Sequence, residues 1–162
     1  MFHNLLLAVD GVEPDQIGTS VAIALARQHT AAVHVVHVNQ YLLGGRGLTA
    51  ETPEEAADVV RTAVAELQAA GIRATGSVRR ATCFGVAAAI VDTAHHRPAD
   101  AIVLGSHRRR GLRRLRSQGI RERVTRLTAV PVLTAPAPLV VTHLPVRPHR
   151  VPSHSGPAAM SR

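Results

Sequence analysis

The 162-residue chain has no lysine, no tryptophan, one cysteine and few aromatic residues. Without lysine it supports neither P-loop phosphate chemistry nor a Schiff-base mechanism. The lone Cys83 forms no internal disulfide and cannot by itself hold zinc, which excludes disulfide scaffolds and zinc fingers. Because aromatic residues make up only 2% of the sequence, the core must be built from Ala, Val, Leu and Ile.

Long hydrophobic runs are also absent. No apolar run reaches the ~18 residues of a membrane helix, and the first residues lack the features of a signal peptide. We therefore expect a cytoplasmic protein. The length predicts one domain, residues 1–137, followed by a disordered Pro- and His-rich tail over residues 138–162. The spaced tail histidines are poor metal ligands, and we expect no metal.

Positive charge is concentrated in the second part of the chain. Residues 1–100 hold seven arginines and ten acids, whereas residues 101–162 hold twelve arginines and one acid, Glu122. Nine of these arginines lie between Arg108 and Arg126. A surface of this kind attracts polyanions, although a GC-rich genome also explains a lysine-free, arginine-rich composition.

Short apolar runs alternate with segments of helical spacing. Strands are predicted at residues 5–9, 33–38, 72–79, 101–104 and 130–134, and helices at about 14–29, 52–71, 82–96 and 118–127. Thr52, Pro53 and Glu55 form a capping box, Thr82 is expected to cap the third helix, and residues 39–51 read as a loop. Five such alternations predict an α/β domain with a mostly parallel sheet and helices on both faces. Because Pro131 cannot donate to a ladder, we expect the last strand at an edge, or with the Pro131 nitrogen facing away from its neighbour.

In such sheets ligands bind beyond the carboxyl ends of the strands. Asp10, Val38 and Gly105 occupy three of these ends. Asp10 has two interpretations: it accepts hydrogen bonds from a base or ribose, or it caps the first helix. The stretch from Gly105 through Ser106 and Arg108 to Gly111 suits phosphate binding at backbone amides, with a solvated basic loop as the alternative.

Other chemistry-bearing residues have structural interpretations. Cys83 lies either in the first turn of the third helix, where a thiol becomes reactive, or in the core as a small apolar residue. His34 and His37 point to opposite faces of their strand, which excludes a shared metal. Ser106 and His107 have no acid nearby to form a triad. We therefore expect no catalytic residue.

Several segments together resemble the universal stress protein family. They are residues 6–11, 36–38, 99–106, 111–112, 121–124 and 130–133, and the resemblance covers about residues 3–137. The resemblance is to an actinobacterial-type, UspA-like variant of the family with a degenerate ATP-binding loop. It implies a Rossmann-like open sheet of five parallel strands in the order 3-2-1-4-5, four helices, and a homodimer joined through the strand at Val130–Thr134.

Family members that bind ATP have a loop of Gly, two residues, Gly, nine residues, Gly, then Ser or Thr. Starting at Gly105, this pattern puts Arg108 at the second glycine, Gln118 at the third and Gly119 at the hydroxyl residue. Three of its four elements are missing. By the same resemblance, Asp10 and Val38 match the positions that hold the nucleoside.

These observations favour a non-enzymatic stress-response or regulatory dimer with a degenerate nucleotide crevice, requiring no cofactor. One alternative is an ATP-binding member, with the guanidinium of Arg108 replacing lost loop amides. Another is a weak binder of nucleic acid or other polyanions through the Arg108 to Arg126 surface. Scattered aromatic residues oppose single-strand stacking. A slow ATPase would need the loop that is damaged here.

Overall fold

The structure is a computed structural model that describes residues 1–11, 16–41, 51–105 and 114–135, with backbone only at residues 16 and 114–118. Its elements are β1 (Asn4–Val9), α1 (Gln16–His29), β2 (Ala32–Tyr41), α2 (Pro53–Ala69), β3 (Ala74–Thr82), α3 (Val86–His96), β4 (Ala101–Leu104), α4 (Arg114–Leu127) and β5 (Val132–Thr134). The five strands form one parallel sheet in the order β3-β2-β1-β4-β5. The predicted fold and strand order are therefore confirmed.

The sheet is covered on both faces, which explains the uninterrupted apolar strands. Leu5 and Leu7 of β1 face one core, which contains Val60 and Leu67 of α2 together with residues of α1. Leu6 faces the other core, where β2, β3, β4, α3 and α4 supply the remaining buried residues. Each full burial of a Leu or Val side chain stabilises the fold by roughly 1.5–3 kcal/mol. The strand ends are consequently fixed from both sides.

The start of α2 is fixed by local hydrogen bonds. The Thr52 hydroxyl accepts from the Glu55 amide at 3.1 Å, and the Glu55 carboxylate accepts from the Thr52 amide at 2.7 Å. This is the predicted capping box, with Pro53 at the first helical position. After the helix, Gly71 adopts a φ of +81°, a conformation that favours glycine.

Several predicted boundaries were wrong. Thr82 does not cap α3: it ends β3, its hydroxyl accepts from the Gly85 amide at 3.2 Å, and the helix begins only at Val86. Residues 39–41, expected in a loop, continue β2, because their pairing with β3 extends to Tyr41. Helix α4 begins about one turn earlier than predicted, at Arg114.

The last strand lies at the edge of the sheet, as Pro131 predicted, and it starts at Val132. The carbonyl of Pro131 still accepts from the Ile102 amide at 2.9 Å, so the proline serves the ladder as an acceptor only. The tail beyond residue 135 and its predicted disorder lie outside the described residues. No helix in the described part of the chain is long and apolar enough to cross a membrane.

Candidate functional site

Three of the predicted site residues meet at the carboxyl edge of the sheet. Val9 pairs with His37, and Ala8 pairs with both Val36 and Leu104. Asp10, Val38 and Gly105 each lie at or just beyond these pairs, on three neighbouring strands spaced about 5 Å apart. Strand order reverses at β1, so these residues surround the switch point where parallel sheets bind ligands.

The remaining predicted residues divide into two groups. Ser106, Arg108 and Gly111 lie outside the described residues. Gln118 and Gly119 lie within α4, one turn or more after its start at Arg114. Only the first four amides of a helix lack an intrahelical acceptor, so the amides of residues 118 and 119 belong to the helical ladder. These two positions therefore offer a phosphate no free backbone donors.

An arginine of α4 contacts the edge of this crevice. The Arg121 side chain donates from Nη2 to the carbonyl oxygen of Gly105 at 3.0 Å. This hydrogen bond ties the middle of α4 to the end of β4. In the sequence, Arg121 belongs to the arginine-rich stretch and to a segment that resembles the family, and neither pattern predicts this contact.

A histidine and a glutamate connect the ends of β1 and β2 with the start of α2. His37 is 2% exposed, its Nδ1 lies 3.0 Å from the carbonyl oxygen of Val9, and its Nε2 lies 2.6 Å from Glu51 Oε2. Glu51 directly precedes the capping box, and its backbone carbonyl accepts from the Asn39 side chain at 3.0 Å. The His37–Glu51 pair thus holds three segments of the crevice together.

Gly11 is packed directly against this pair. Its φ is +76°, and a Cβ at this position would lie 3.1 Å from both Glu51 Oε1 and His37 Cε1. The backbone after Asp10 therefore follows a path that only glycine adopts without strain. Next to it, the buried Oδ1 of Asn39 is an acceptor with no hydrogen-bond partner among the described residues.

The sequence did not predict the roles of His37, Glu51 and Asn39. It did predict that His34 and His37 point to opposite faces of their strand, and in the structure they contact different partners, Thr75 and Glu51. The sequence signal for these roles was the pair of polar residues on either side of Val38, His37 before it and Asn39 after it, in a buried strand. Glu51 could not be paired with His37 from the sequence, because residues 42–50 separate the two segments.

His34 lies near the opposite, amino end of the sheet. Its ring nitrogens contact the hydroxyls of Thr75 at 2.8 Å and Ser77 at 2.9 Å, both on β3. Burial, and secondly the charge of Arg97, lower the pKa of His34 below its ordinary value. His34 is therefore a neutral structural residue at neutral pH.

Cys83 lies in the turn before α3 and is half-buried, so it occupies neither the first helical turn nor the core. The described residues contain no group of three or more His, Cys, Asp or Glu side chains that could hold a metal ion.

The described arginines of α4 have intramolecular contacts. Besides Arg121, Arg123 lies over the exposed ring of Phe84 at 6.0 Å, and Arg126 lies 3.9 Å from Glu122. Arg123 and Arg126 are exposed and keep their charge at the surface. The arginines from Arg108 to Arg113 lie outside the described residues.

Comparison with known protein families identifies the family of the chain. The model of the universal stress protein family matches residues 1–136. The chain belongs to this family. The comparison with curated proteins gave no significant match.

Solved universal stress protein structures share the fold. One from Archaeoglobus fulgidus is 22% identical, with 84% of this chain and 100% of that chain covered and a TM-score of 0.65. UspA from Lactobacillus plantarum is 19% identical, with 83% and 97% covered and a TM-score of 0.64. An Archaeoglobus fulgidus universal stress protein in complex with dAMP is 23% identical, with 83% and 98% covered and a TM-score of 0.63. A universal stress protein in complex with cAMP also has this fold, at 16% identity over 83% of this chain and 97% of that chain, with a TM-score of 0.62.

Proposed function

We propose that this universal stress protein is a non-enzymatic, cytoplasmic regulatory protein whose crevice binds the nucleoside part of an adenine nucleotide and holds the phosphates weakly. The observation that carries the proposal is the register of β1, β2 and β4, which brings Asp10, Val38 and Gly105 to one switch point. Crystallised relatives bind dAMP and cAMP. A carboxylate and backbone groups at this point suit the donors and acceptors of a base and ribose.

The buried Oδ1 of Asn39 supports a ligand that brings its own donors. An unpartnered buried acceptor costs roughly 1–3 kcal/mol, and a hydroxyl or amine of a nucleoside would satisfy it.

The weak hold on phosphates follows from α4 and from the sequence of the loop. Arg108 and Gln118 stand where ATP-binding relatives have glycine, and Gly119 stands where they have a hydroxyl. Since the backbone amides of residues 118 and 119 are hydrogen-bonded inside α4, they cannot replace the missing phosphate donors. Arg121 of α4 donates from Nη2 to the Gly105 carbonyl, so its guanidinium is already engaged by the protein.

The non-enzymatic part of the proposal rests on how the acid and base groups of the crevice are used. His37 and Glu51 contact each other at 2.6 Å, and His37 also donates to Val9. A general base must be free to accept a proton from substrate or water, and this pair is occupied with structural hydrogen bonds. The slow ATPase is the competing function, and a phosphate-release assay with ATP and Mg²⁺ would reveal it.

The test compares ATP and adenosine by calorimetric titration. If the phosphates are held weakly, the two ligands should bind within about threefold of each other. Asp10→Asn should weaken both, and the exposed Asp58→Asn on α2 is the matched control. A charge-assisted hydrogen bond is worth about 1.5–3 kcal/mol, so ATP binding more than a hundredfold tighter than adenosine would show that Arg108 replaces the lost loop amides.

A second variant tests the missing hydroxyl directly. Apart from the neighbouring backbone of α4, no atom of the described residues lies within 4 Å of a Cβ placed on Gly119, so Gly119→Ser adds a hydroxyl without a clash among them. If position 119 faces the phosphates, this change should tighten ATP binding about tenfold and leave adenosine binding unchanged. Equal effects on both ligands would contradict this placement.

We further propose a homodimer formed through Val130–Thr134. Strand β5 pairs with β4 on one side, and the neighbouring Leu127 is 53% exposed. An open strand edge beside an exposed leucine favours pairing with a second copy. Light scattering at micromolar concentration should give about twice the 17.2 kDa monomer mass. A monomer mass would contradict the dimer.

The distribution of charge favours a second candidate function, weak polyanion binding by the Arg108 to Arg126 surface. Such binding should be independent of sequence and weaken steeply with salt. Arg123→Gln with Arg126→Gln should flatten the salt dependence, whereas Arg61→Gln on α2 should not. Tight binding at high salt, or a preference for one sequence, would contradict it.

A further inference from the structure

We propose that His37 and Glu51 are positioning residues of the nucleoside crevice, and that the single proton they share makes ligand binding dependent on pH. This inference rests on the function proposed above. It concerns residues that do not themselves need to touch the ligand. They fix the backbone around Asp10, which follows β1, and around Val38, which lies in β2.

The positions of the bonded residues along the chain give the first reason. Asp10 follows Val9, whose carbonyl oxygen His37 contacts. Asp10 precedes Gly11, where a Cβ would lie 3.1 Å from both His37 Cε1 and Glu51 Oε1. Val38 is preceded by His37 itself and followed by Asn39, which donates to the Glu51 carbonyl. Asp10 and Val38, the two positions proposed to hold the nucleoside, therefore each lie between residues that contact His37 or Glu51 or belong to that pair.

The second reason is the proton count of the imidazole ring. A backbone carbonyl only accepts, so His37 Nδ1 must carry a hydrogen and donate to Val9. Glu51 Oε2 lies 2.6 Å from Nε2, and that contact also needs a hydrogen. It is either an imidazolium donating to a carboxylate or a carboxylic acid donating to a neutral ring. In both forms the pair holds one proton more than a neutral ring beside a carboxylate.

Loss of that proton should open the pair. The Nε2 lone pair would then face a carboxylate at hydrogen-bond distance, inside a site where His37 is 2% exposed. Two acceptors in contact repel, and burial strengthens the repulsion. Glu51 would move away, releasing the start of α2 and the path of Gly11. Binding should therefore weaken as pH rises.

Val59 of α2 packs at the Gly11 side of the pair, and Val78 of β3 is the strand neighbour of His37. Among the described residues, the charged groups on the segments that adjoin the pair are Asp10 after β1, Glu54, Glu55 and Asp58 in the first turns of α2, and Arg80, which pairs with Asn39 in the sheet. Asp58 is bonded to Arg61 and Glu55 to the Thr52 amide. The described part of α1 carries charge only at its far end.

Adenosine is the appropriate probe, because it has no group that titrates near neutral pH. Wild-type protein should bind it at least tenfold more weakly at about pH 8.5 than at about pH 6. In Glu51→Gln, the amide donates to a neutral His37 at either pH, so affinity should change less than threefold. Glu51→Ala removes the partner and should bind weakly at both pH values.

Glu54→Gln is the matched control, since Glu54 is exposed on the first turn of α2. It should keep the full pH dependence of the wild type.

The outcomes separate this inference from the function beneath it. If adenosine binds equally well at both pH values, or if Glu51→Gln keeps the wild-type dependence, the positioning role is overturned and the nucleoside crevice stands. If no protein binds adenosine or ATP at either pH, the proposed function fails and the positioning role fails with it.

Discussion

Arg121 Nη2 donates to the carbonyl oxygen of Gly105 at 3.0 Å, which joins α4 to the carboxyl end of β4. A hydrogen bond from a charged donor contributes about 1.5–3 kcal/mol when well desolvated, and less for the half-buried Arg121. We expect Arg121→Gln to lower the free energy of unfolding by about 1 kcal/mol.

Urea denaturation measures this change. Arg126→Gln is the control, because its contact with Glu122 is exposed and 3.9 Å long. The control should change stability by less than about 0.5 kcal/mol. Equal effects of the two substitutions would show that the Gly105 contact contributes nothing specific.

Two glycines should respond to alanine in opposite directions. A Cβ on Gly76 of β3 would overlap Val60 Cγ1 and lie 3.0 Å from Val64 Cγ2, both on α2. Because β-branched valines adjust little, Gly76→Ala should cost about 1–3 kcal/mol. Apart from the neighbouring backbone of α4, a Cβ on Gly119 meets no atom of the described residues within 4 Å, so Gly119→Ala in α4 should stabilise the fold by up to about 1 kcal/mol. Thermal melting of both variants checks the signs, and a shift in the same direction would contradict the packing described here.

The capping box of α2 should contribute measurably to stability. Thr52→Ala removes the hydroxyl that accepts from the Glu55 amide, so we expect a loss of about 1 kcal/mol. Thr62→Ala, at an exposed position of the same helix, should be neutral or slightly stabilising. Chemical denaturation of both variants provides the comparison. A cost no greater at Thr52 than at Thr62 would count against the cap.

His34 should make stability depend on pH below neutrality. Burial lowers the pKa of His34 in the folded protein below its ordinary value of 6.5, so the unfolded chain binds more protons as pH falls through that value. Between about pH 7 and about pH 5 the free energy of unfolding should therefore decrease in the wild type relative to His34→Gln. Substitution of the exposed His95 should leave the wild-type pH profile unchanged.

Denaturation curves at a series of pH values measure the slope. A pH profile that His34→Gln leaves intact, or changes in the opposite direction, would show that His34 is not the group responsible.

The order and type of the elements were determined by the sequence. Doubly covered strands such as β4 must be apolar throughout, so Ala101–Leu104 was predicted with its correct ends. The capping box of α2 was also predictable, because Thr52, Pro53 and Glu55 act within four residues. Local chemistry of this kind does not depend on the remainder of the fold.

Boundaries that depend on neighbouring elements were missed. Tyr41 belongs to β2 because β3 pairs with it, and Thr82 ends a strand because its partner continues that far. The same reason applies to the crevice. Asp10 and Gly105 could be placed from strand ends alone, since parallel strands finish at one edge. Val38 was predicted to end its strand, but it lies inside β2, which continues to Tyr41.

Only the tertiary structure brought His37 to Glu51 and Arg121 to Gly105. Each contact joins residues of different elements, and the distance between them depends on how helices pack on the sheet rather than on spacing along the chain. A histidine beside a buried strand end has many potential partners in the sequence. Packing selected one, because a polar ring buried to 2% exposure needs an acceptor or donor at each nitrogen.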